Sequence, residues 1–478
     1  MKRSISIILL LIFSFCAVEA GAQQASDRPN ILFIAIDDMN DWVGFMGGHP
    51  QAVTPNLDAL AAKGVVFDNA TCPAPGCSPS RNALLYGVEP FNSGLYAFYD
   101  NEEIHIGLQE KYVSLPRLLK ANGYATFGAG KIHHGYRGAD IEWTDYHKPT
   151  NHKLELDVAA GYQSNNSFKM SFCPTTNPLE EHPDHKVASY GIEVLEKEHD
   201  KPFFLAVGIV KPHLPFICPK QFFDLYPEDV EPPRIKANDL ADIPWVGKSM
   251  AKISDDNRFT KDQAWTKVRR AYLACNSWAD YNIGRVLDAL EASPYADNTI
   301  VVLWSDHGYG MGEKRHFRKF ALWEEPTRVP FIIWDTREPV TGEPRRVKDG
   351  VSLINIYKTL AEMTDIQAPE YLDGYSLVPF LKDPSKPLPT PSICSWGRGN
   401  YALRDANYRY IRYFDGSEEL YSHEKDPDEW TNLADNPEYA AVKERLSEYF
   451  PKKEAPLEMD YIADWSITTS ADKPDRKK

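Results

Sequence analysis

Apolar runs of strand length, each breaking off into charged or imidazole side chains, constrain this chain more than any other feature. Residues 31–36 are uninterruptedly hydrophobic and end in Asp37-Asp38. Residues 203–208 lead into Lys211-Pro212-His213, and residues 299–304 end in Ser305-Asp306-His307-Gly308. A shorter run, 124–127, passes through Gly128-Ala129-Gly130 into Lys131-Ile132-His133-His134-Gly135. A strand that is apolar on both sides must be covered on both sides, the normal condition of a parallel sheet. Helical spacing separates these runs. Thr54-Pro55 opens a helix with Thr54 as cap and Gly64 as stop, 115–122 ends at Gly123, 187–195 is periodic, and a long helix spans about 261–290. A further strand, 331–334, follows Arg328-Val329-Pro330. Strands alternating with helices predict an α/β domain with a mostly parallel sheet. Ligands of such sheets bind outside the carboxyl ends of the strands, so the polar clusters are expected to share one site.

Residues 76–85, Gly-Cys-Ser-Pro-Ser-Arg-Asn-Ala-Leu-Leu, read as a turn entering a helix, with Ser78 as N-cap and Pro79 at the first helical position. Cys77 then lies where free N–H groups favour an anion, and Arg81 presents its donor fork one turn on. A sulfur nucleophile in an anion-binding cradle is one reading, and a buried structural cysteine before an ordinary helix is the more frequent one for a lone cysteine. Asp37, Asp38 and Asp306 are hard oxygen donors suited to Ca²⁺ or Mg²⁺, the bland reading being turn formation and capping. Adjacent carboxylates facing one pocket repel unless a cation lies between them. His307 would complete the set or stand behind it. Such carboxylates are expected to raise the Cys77 thiol pKa unless a metal is bound. Lys314, Arg315 and His316 read as a solvated basic loop, with contact to substrate carboxylates as the alternative.

The rest of the chain frames this centre. Residues 139–183 lack a period and are expected to form long loops, as are the Pro-rich residues 219–244. Residues 382–391 carry four prolines and read as a linker. Beyond it, residues 408–413 alternate, Asp415-Gly416 turns and Leu420-Tyr421 returns, a β-hairpin, followed by an amphipathic helix at 437–450. The expected division is a signal peptide at 1–22, a catalytic domain at 23–381, the linker at 382–391, a C-terminal subdomain at 392–470 and a disordered tail at 471–478. Met1-Lys2-Arg3, the apolar residues 5–15 and Ala20-Gly21-Ala22 form the signal, too short to span a bilayer, so the expected location is periplasmic or secreted with no membrane anchor. Cys16 follows Phe15, which does not fit lipidation. Setting aside Cys16 in the signal and Cys77 at the helix start, Cys72, Cys173, Cys218, Cys275 and Cys394 remain, an odd number that leaves a thiol unpaired. Cys275 sits at helical spacing with core residues, and a Cys72–Cys77 disulfide would consume the nucleophile. The net charge of −15 argues against a nucleic-acid partner and means that an anionic substrate needs a local cationic pocket.

The string Cys77-Ser78-Pro79-Ser80-Arg81 resembles the signature of the type I sulfatases. Asp37-Asp38, Gly130-Lys131-Ile132-His133-His134-Gly135, Lys211-Pro212-His213, Asp306-His307-Gly308 and Lys319 through Pro330 fall in the order those enzymes use. The texture around Lys211 and Ser305 is most similar to the iduronate-2-sulfatase branch, and the resemblance spans nearly the whole mature chain. It implies an alkaline-phosphatase-like fold, a mostly parallel sheet sandwiched by helices, with a small C-terminal α+β domain built on an antiparallel sheet. It also implies that Cys77 is oxidised to formylglycine by a formylglycine-generating or anaerobic sulfatase-maturating enzyme. Asp37, Asp38, Asp306, His307 and the modified Cys77 would hold one Ca²⁺ per chain, in preference to Mg²⁺. Arg81 would hold the formylglycine hydroxyl, Lys131 and Lys319 would clamp sulfate oxygens, and His213 would protonate the departing sugar oxygen. The base is His133 in the common pattern and His134 in the iduronate branch, with His134 slightly favoured. The expected substrate is a sulfated saccharide, a 2-sulfated uronate or an algal polysaccharide among them. The alternatives are a phosphonate monoester or phosphodiester hydrolase of the same superfamily, and a catalytically silent saccharide-binding homologue.

Overall fold

The computed structural model describes residues 28–99, 102–135, 139–149, 154–157, 159–163, 171–338 and 345–457. The signal segment with Cys16 and the tail at 471–478 lie outside the described residues.

Eight strands form the central sheet: β1 (Asn30–Asp37), β2 (Val65–Thr71), β3 (Ala125–Gly130), β4 (Asp145–His147), β5 (Phe203–Pro212), β6 (Thr299–Ser305), β7 (Phe331–Asp335) and β8 (Arg345–Ser352). Their order is β8-β2-β7-β6-β1-β5-β3-β4. β1 runs parallel to β5 and β6, with Ile31 opposite both Phe204 and Ile300. All eight residues of β1 are buried, and the two-residue period sorts them. Ile31, Phe33 and Ala35 join a core with Leu84, Leu119, Ile356 and Leu360. Leu32, Ile34 and Ile36 join another with Leu57, Val187, Ile283 and Val286. The sheet is thus sandwiched by helices, which is why its central strands carry no polar face.

The expected strand at 331–334 is present as β7, but it runs antiparallel to both β6 and β2. Strand direction is fixed by the connection, which local composition does not encode. Residues 139–183 are not simply loops. They include the helix Ala139–Glu142, the edge strand β4, and short strands Tyr162–Gln163 and Ser171–Thr175. The last of these pairs parallel with Phe216–Pro219, so its partner lies far along the chain. The expected long helix at about 261–290 is present as Trp265–Ala292, and a separate helix, Ile253–Lys261, precedes it, parted where Gln263 takes a left-handed φ of 50°. Thr54 does not cap its own helix; its hydroxyl accepts from the Gly44 amide at 2.8 Å.

Beyond β8, four antiparallel strands, Ser392–Ser395, Tyr401–Arg404, Tyr408–Arg412 and Glu418–Ser422, form a separate sheet. Buried Arg409 fastens it to the main body, donating to Glu429 Oε1 at 2.6 Å and to Glu324. Glu324, His423 and Glu429 lie close enough to share an ion, but Arg409 and Arg404 already neutralise them. The same sheet corrects the reading of 314–316 as a solvated loop. Lys314 and His316 are buried, Lys314 donating to the Glu429 carbonyl, while Arg315 pairs with Asp256 at 2.8 Å. The C-terminal segment covers Lys314 and His316, while Arg315 stays exposed as the solvated reading expects. Cys72 lies 3.9 Å from Cys394 rather than against Cys77, all six described cysteines are free thiols, and Cys275 is in the core. Among the described residues no helix is long and apolar enough to cross a membrane.

Candidate active site

The carboxyl ends of β1, β3, β5 and β6 fall on one edge because these strands are mutually parallel. There the chain turns sharply: Asp38 adopts a φ of 67°, a conformation in which Asp is among the more tolerant residues. Its amide donates to Asp306 Oδ1 at 3.2 Å, and the Asp306 amide donates to the Ile36 carbonyl at 3.1 Å, stitching the ends of β1 and β6 together.

Cys77 arrives on the helix Cys77–Tyr86, which starts at the cysteine itself with Gly76 at the cap position. Ser78 is not the cap; its hydroxyl accepts from the Tyr99 amide at 3.0 Å. Gly76 packs closely under two rings: a Cβ there would come 3.0 Å from Trp396 and 3.2 Å from Phe320, so the rings would have to give by a few tenths of an ångström. Cys77 Sγ lies 3.5 Å from Asp37 Oδ1, 3.2 Å from His307 Nε2 and 2.8 Å from Lys319 Nζ. Asp37, Asp38, Cys77 and His307 each place one potential ligand atom within 4.8 Å of the others. Asp306 adjoins this cluster rather than joining it, because Oδ2 accepts from Arg81 Nε at 2.7 Å and Oδ1 from backbone amides. His307 Nδ1 faces the Gly308 carbonyl at 2.9 Å, which assigns the proton to Nδ1 and leaves Nε2 as the donor atom toward the cluster when the ring is neutral. Buried carboxylates, a sulfur and an imidazole nitrogen turned inward fit a divalent cation.

Three cations hold the negative groups together. Lys131 donates to Asp37, Lys319 donates to Asp38 Oδ1 at 2.7 Å, and Arg81 is fully buried. The Arg81 fork is engaged by Asp306 and by the carbonyls of Lys131, Ile132 and Ile36 at 2.5, 3.0 and 3.2 Å. These bonds make it a brace between strand ends. Burial pushes the Cys77 thiol up, but Lys131, Lys319 and His307, with a hydrogen bond from His134, bring it well below its ordinary value. The expectation that the aspartates would raise it is therefore overturned, because the lysines lie as close as the carboxylates. Burial and Cys77 push Asp37 up, yet Lys131, His213 and Arg81 hold it below the usual carboxylate range. Asp306 is pushed by burial to about 6 despite Arg81. Burial pulls His307 down, but Asp306, Cys77 and Asp38 carry it to about 9.

The histidines divide by geometry. His134 hydrogen-bonds Cys77 and meets Phe98 edge-on at 5.0 Å. His133 points away, with Nε2 2.8 Å from Glu142 Oε2 in a buried pair. His213 sits at the rim, one-third exposed, with Nε2 4.0 Å from Asp38 Oδ2 and Nδ1 2.6 Å from the Leu214 carbonyl. Lys211, expected with it at the site, is turned back onto the carbonyls of His213 and Pro215 at 2.8 and 2.6 Å and braces that loop.

Sequence reasoning missed several supports. Tyr272 donates to the Asp38 carbonyl at 2.7 Å and accepts from the Asn40 amide at 2.9 Å, holding the left-handed turn. Helical spacing marks Tyr272 only as core. Glu142 and the aromatic group Phe98, Phe320 and Trp396 carried no signal, since each reaches the site from a distant segment. Phe320 stacks on Trp396 at 4.8 Å and meets Phe98 at 6.2 Å.

Residues 29–366 match the protein-family model described as Sulfatase. A sulfatase of Formosa agariphila is 37% identical over 462 residues, covering 91% of this chain and 88% of that protein. Iduronate 2-sulfatase of Mus musculus is 30% identical over 410 residues, covering 75% of this chain and 73% of that protein. Among solved structures, the phosphonate monoester hydrolase of Agrobacterium radiobacter matches with a TM-score of 0.69 at 22% identity, covering 88% of this chain and 94% of that one. At that identity the likeness speaks for the fold.

Proposed function

Since the chain belongs to the sulfatase family and hydrolyses sulfate esters, we propose that it is an exported saccharide sulfatase working through a formylglycine made from Cys77 and through one bound Ca²⁺. The observation that carries this reading is the convergence on Cys77 of a metal-capable donor set and Lys319. Asp37, Asp38, His307 and position 77 would hold the ion, Asp306 Oδ1 turning to it from its backbone amides, and the ion would neutralise the carboxylates and act as a Lewis acid toward a sulfate oxygen. As a hydrated aldehyde, position 77 would supply one hydroxyl as nucleophile and a second from which a base could take the proton.

The chain's own groups then have distinct tasks. Lys131 and Lys319 neutralise the sulfate oxygens, a local cationic pair that an acidic protein needs for an anionic substrate. Arg81 fixes Asp306 and the ends of β1 and β3. His134 takes the proton in the expulsion step, supported by its hydrogen bond to Cys77, whereas His133 is committed to Glu142. His213 delivers the proton to the leaving oxygen from Nε2, its Nδ1 being held by the Leu214 carbonyl. Half-buried Phe98 offers an apolar surface for a sugar ring beside His134, with the buried Phe320–Trp396 stack behind it, and iduronate 2-sulfatase among the relatives favours a sulfated uronate. Export rests on the basic and apolar start of the sequence.

Side-by-side turnover of aryl sulfate, phosphate and phosphonate esters tests the assignment. Sulfate is expected to be the preferred substrate; a preference for the phosphonate monoester would replace this reading with a phosphonate hydrolase. His213→Ala is expected to slow esters of poorly leaving sugar alcohols at least about 10²-fold, and nitrophenyl sulfate far less. Equal slowing of both would remove His213 as the acid.

A further inference from the structure

Away from Cys77, a cavity of about 190 Å³ opens where the segment after the Cys77–Tyr86 helix meets the start of the C-terminal sheet. Glu89, Ser352, Asn355, Asp373, Tyr375 and Thr390 are among its lining residues. Glu89 is 7% exposed, and its Oε2 has no hydrogen-bond partner. Asp373 stands beside it, its Oδ2 accepting from the Glu89 amide and from Asn92 Nδ2, both at 2.8 Å. Burial and the charge of Asp373 push the Glu89 carboxyl well above the usual range, and no lysine or arginine is among the described residues lining the cavity. The contrast with the Cys77 centre is direct. There every carboxylate has a lysine or arginine against it; here two carboxyl groups share a cavity with none. A buried carboxylate left in that state is costly unless it is protonated or a cation neutralises it.

We propose that Glu89 and Asp373 form a second divalent-cation site, a Ca²⁺ site independent of the one at Cys77. The polar side chains lining the cavity present oxygen donors, two carboxylates with the Ser352 and Thr390 hydroxyls, a hard set that suits Ca²⁺. The volume leaves room for the water molecules that complete its six to eight ligands. The ion would tie residues 89–92 and 373 to the strand that begins at Ser392, and so fasten the C-terminal sheet to the main body.

Counting bound Ca²⁺ per chain by equilibrium dialysis and atomic emission tests the site on the full-length protein. The wild type is expected to bind two ions, Glu89→Gln and Asp373→Asn one each with sulfatase turnover retained, and an Asp37→Ala/Asp38→Ala double variant one without turnover. Near-UV circular dichroism checks that each variant is folded, and the near-isosteric Asp373→Asn stands in if Glu89→Gln is not. One ion in the wild type, or two in both single variants, overturns the second site and leaves the Cys77 assignment standing. A double variant that keeps both ions and full turnover would instead overturn the Cys77 metal assignment.

Discussion

Cys77→Ala is expected to abolish sulfate release, lowering turnover by at least about 10³-fold, while the chain still folds. The size of the loss follows from position. Cys77 faces Asp37, His307, Lys319 and His134 together, and no other thiol or hydroxyl side chain is described against these four groups. Folding should survive because the helix start depends on Gly76 and on backbone bonds, among them the Ser80 amide to the Gly76 carbonyl at 3.0 Å. The hydrogen bonds lost with the sulfur are each worth about 1 kcal/mol. Sulfate release measured by ion chromatography beside the thermal midpoint checks both halves. Desulfation at an unchanged rate would remove Cys77 from the chemistry.

Exhaustive chelation is expected to suppress turnover by roughly 100-fold or more, with Ca²⁺ restoring it, because Lewis-acid stabilisation of the transition state is worth several kcal/mol. The lysine contacts give a second cause. Lys319 is spent on Asp38 and Cys77, and Lys131 on Asp37, so the two ammonium groups assigned to sulfate are held by carboxylates. A cation between Asp37 and Asp38 would release both. Turnover and metal content measured on the same dialysed sample settle the point; full activity in a sample shown to be metal-free would contradict the assignment.

The main sheet was legible because two-sided burial leaves a mark on every residue of β1 and β6. The site was legible because parallel strands bring their carboxyl ends to one edge, and Asp37-Asp38 and Asp306-His307 sit directly at those ends. What escaped the sequence was set by partners distant in the chain. The antiparallel course of β7, the pairing of Ser171–Thr175 with Phe216–Pro219 and the burial of Lys314 under the C-terminal strands are decided by tertiary contact. The same holds for the choice between the adjacent His133 and His134, which turns on Glu142 capturing the first. Lys211 shows the converse error: a lysine at a strand end, in the expected company, whose ammonium is satisfied by carbonyls of its own loop.

The measurement that bears most directly on all of this is the intact mass of the peptide spanning Cys77, taken from protein made in a host with a sulfatase-maturating enzyme and compared with specific activity across preparations. An aldehyde oxygen in place of the thiol, in a fraction that rises in proportion to activity, is the expected result. Full sulfatase activity in a preparation whose Cys77 remains a thiol would contradict it.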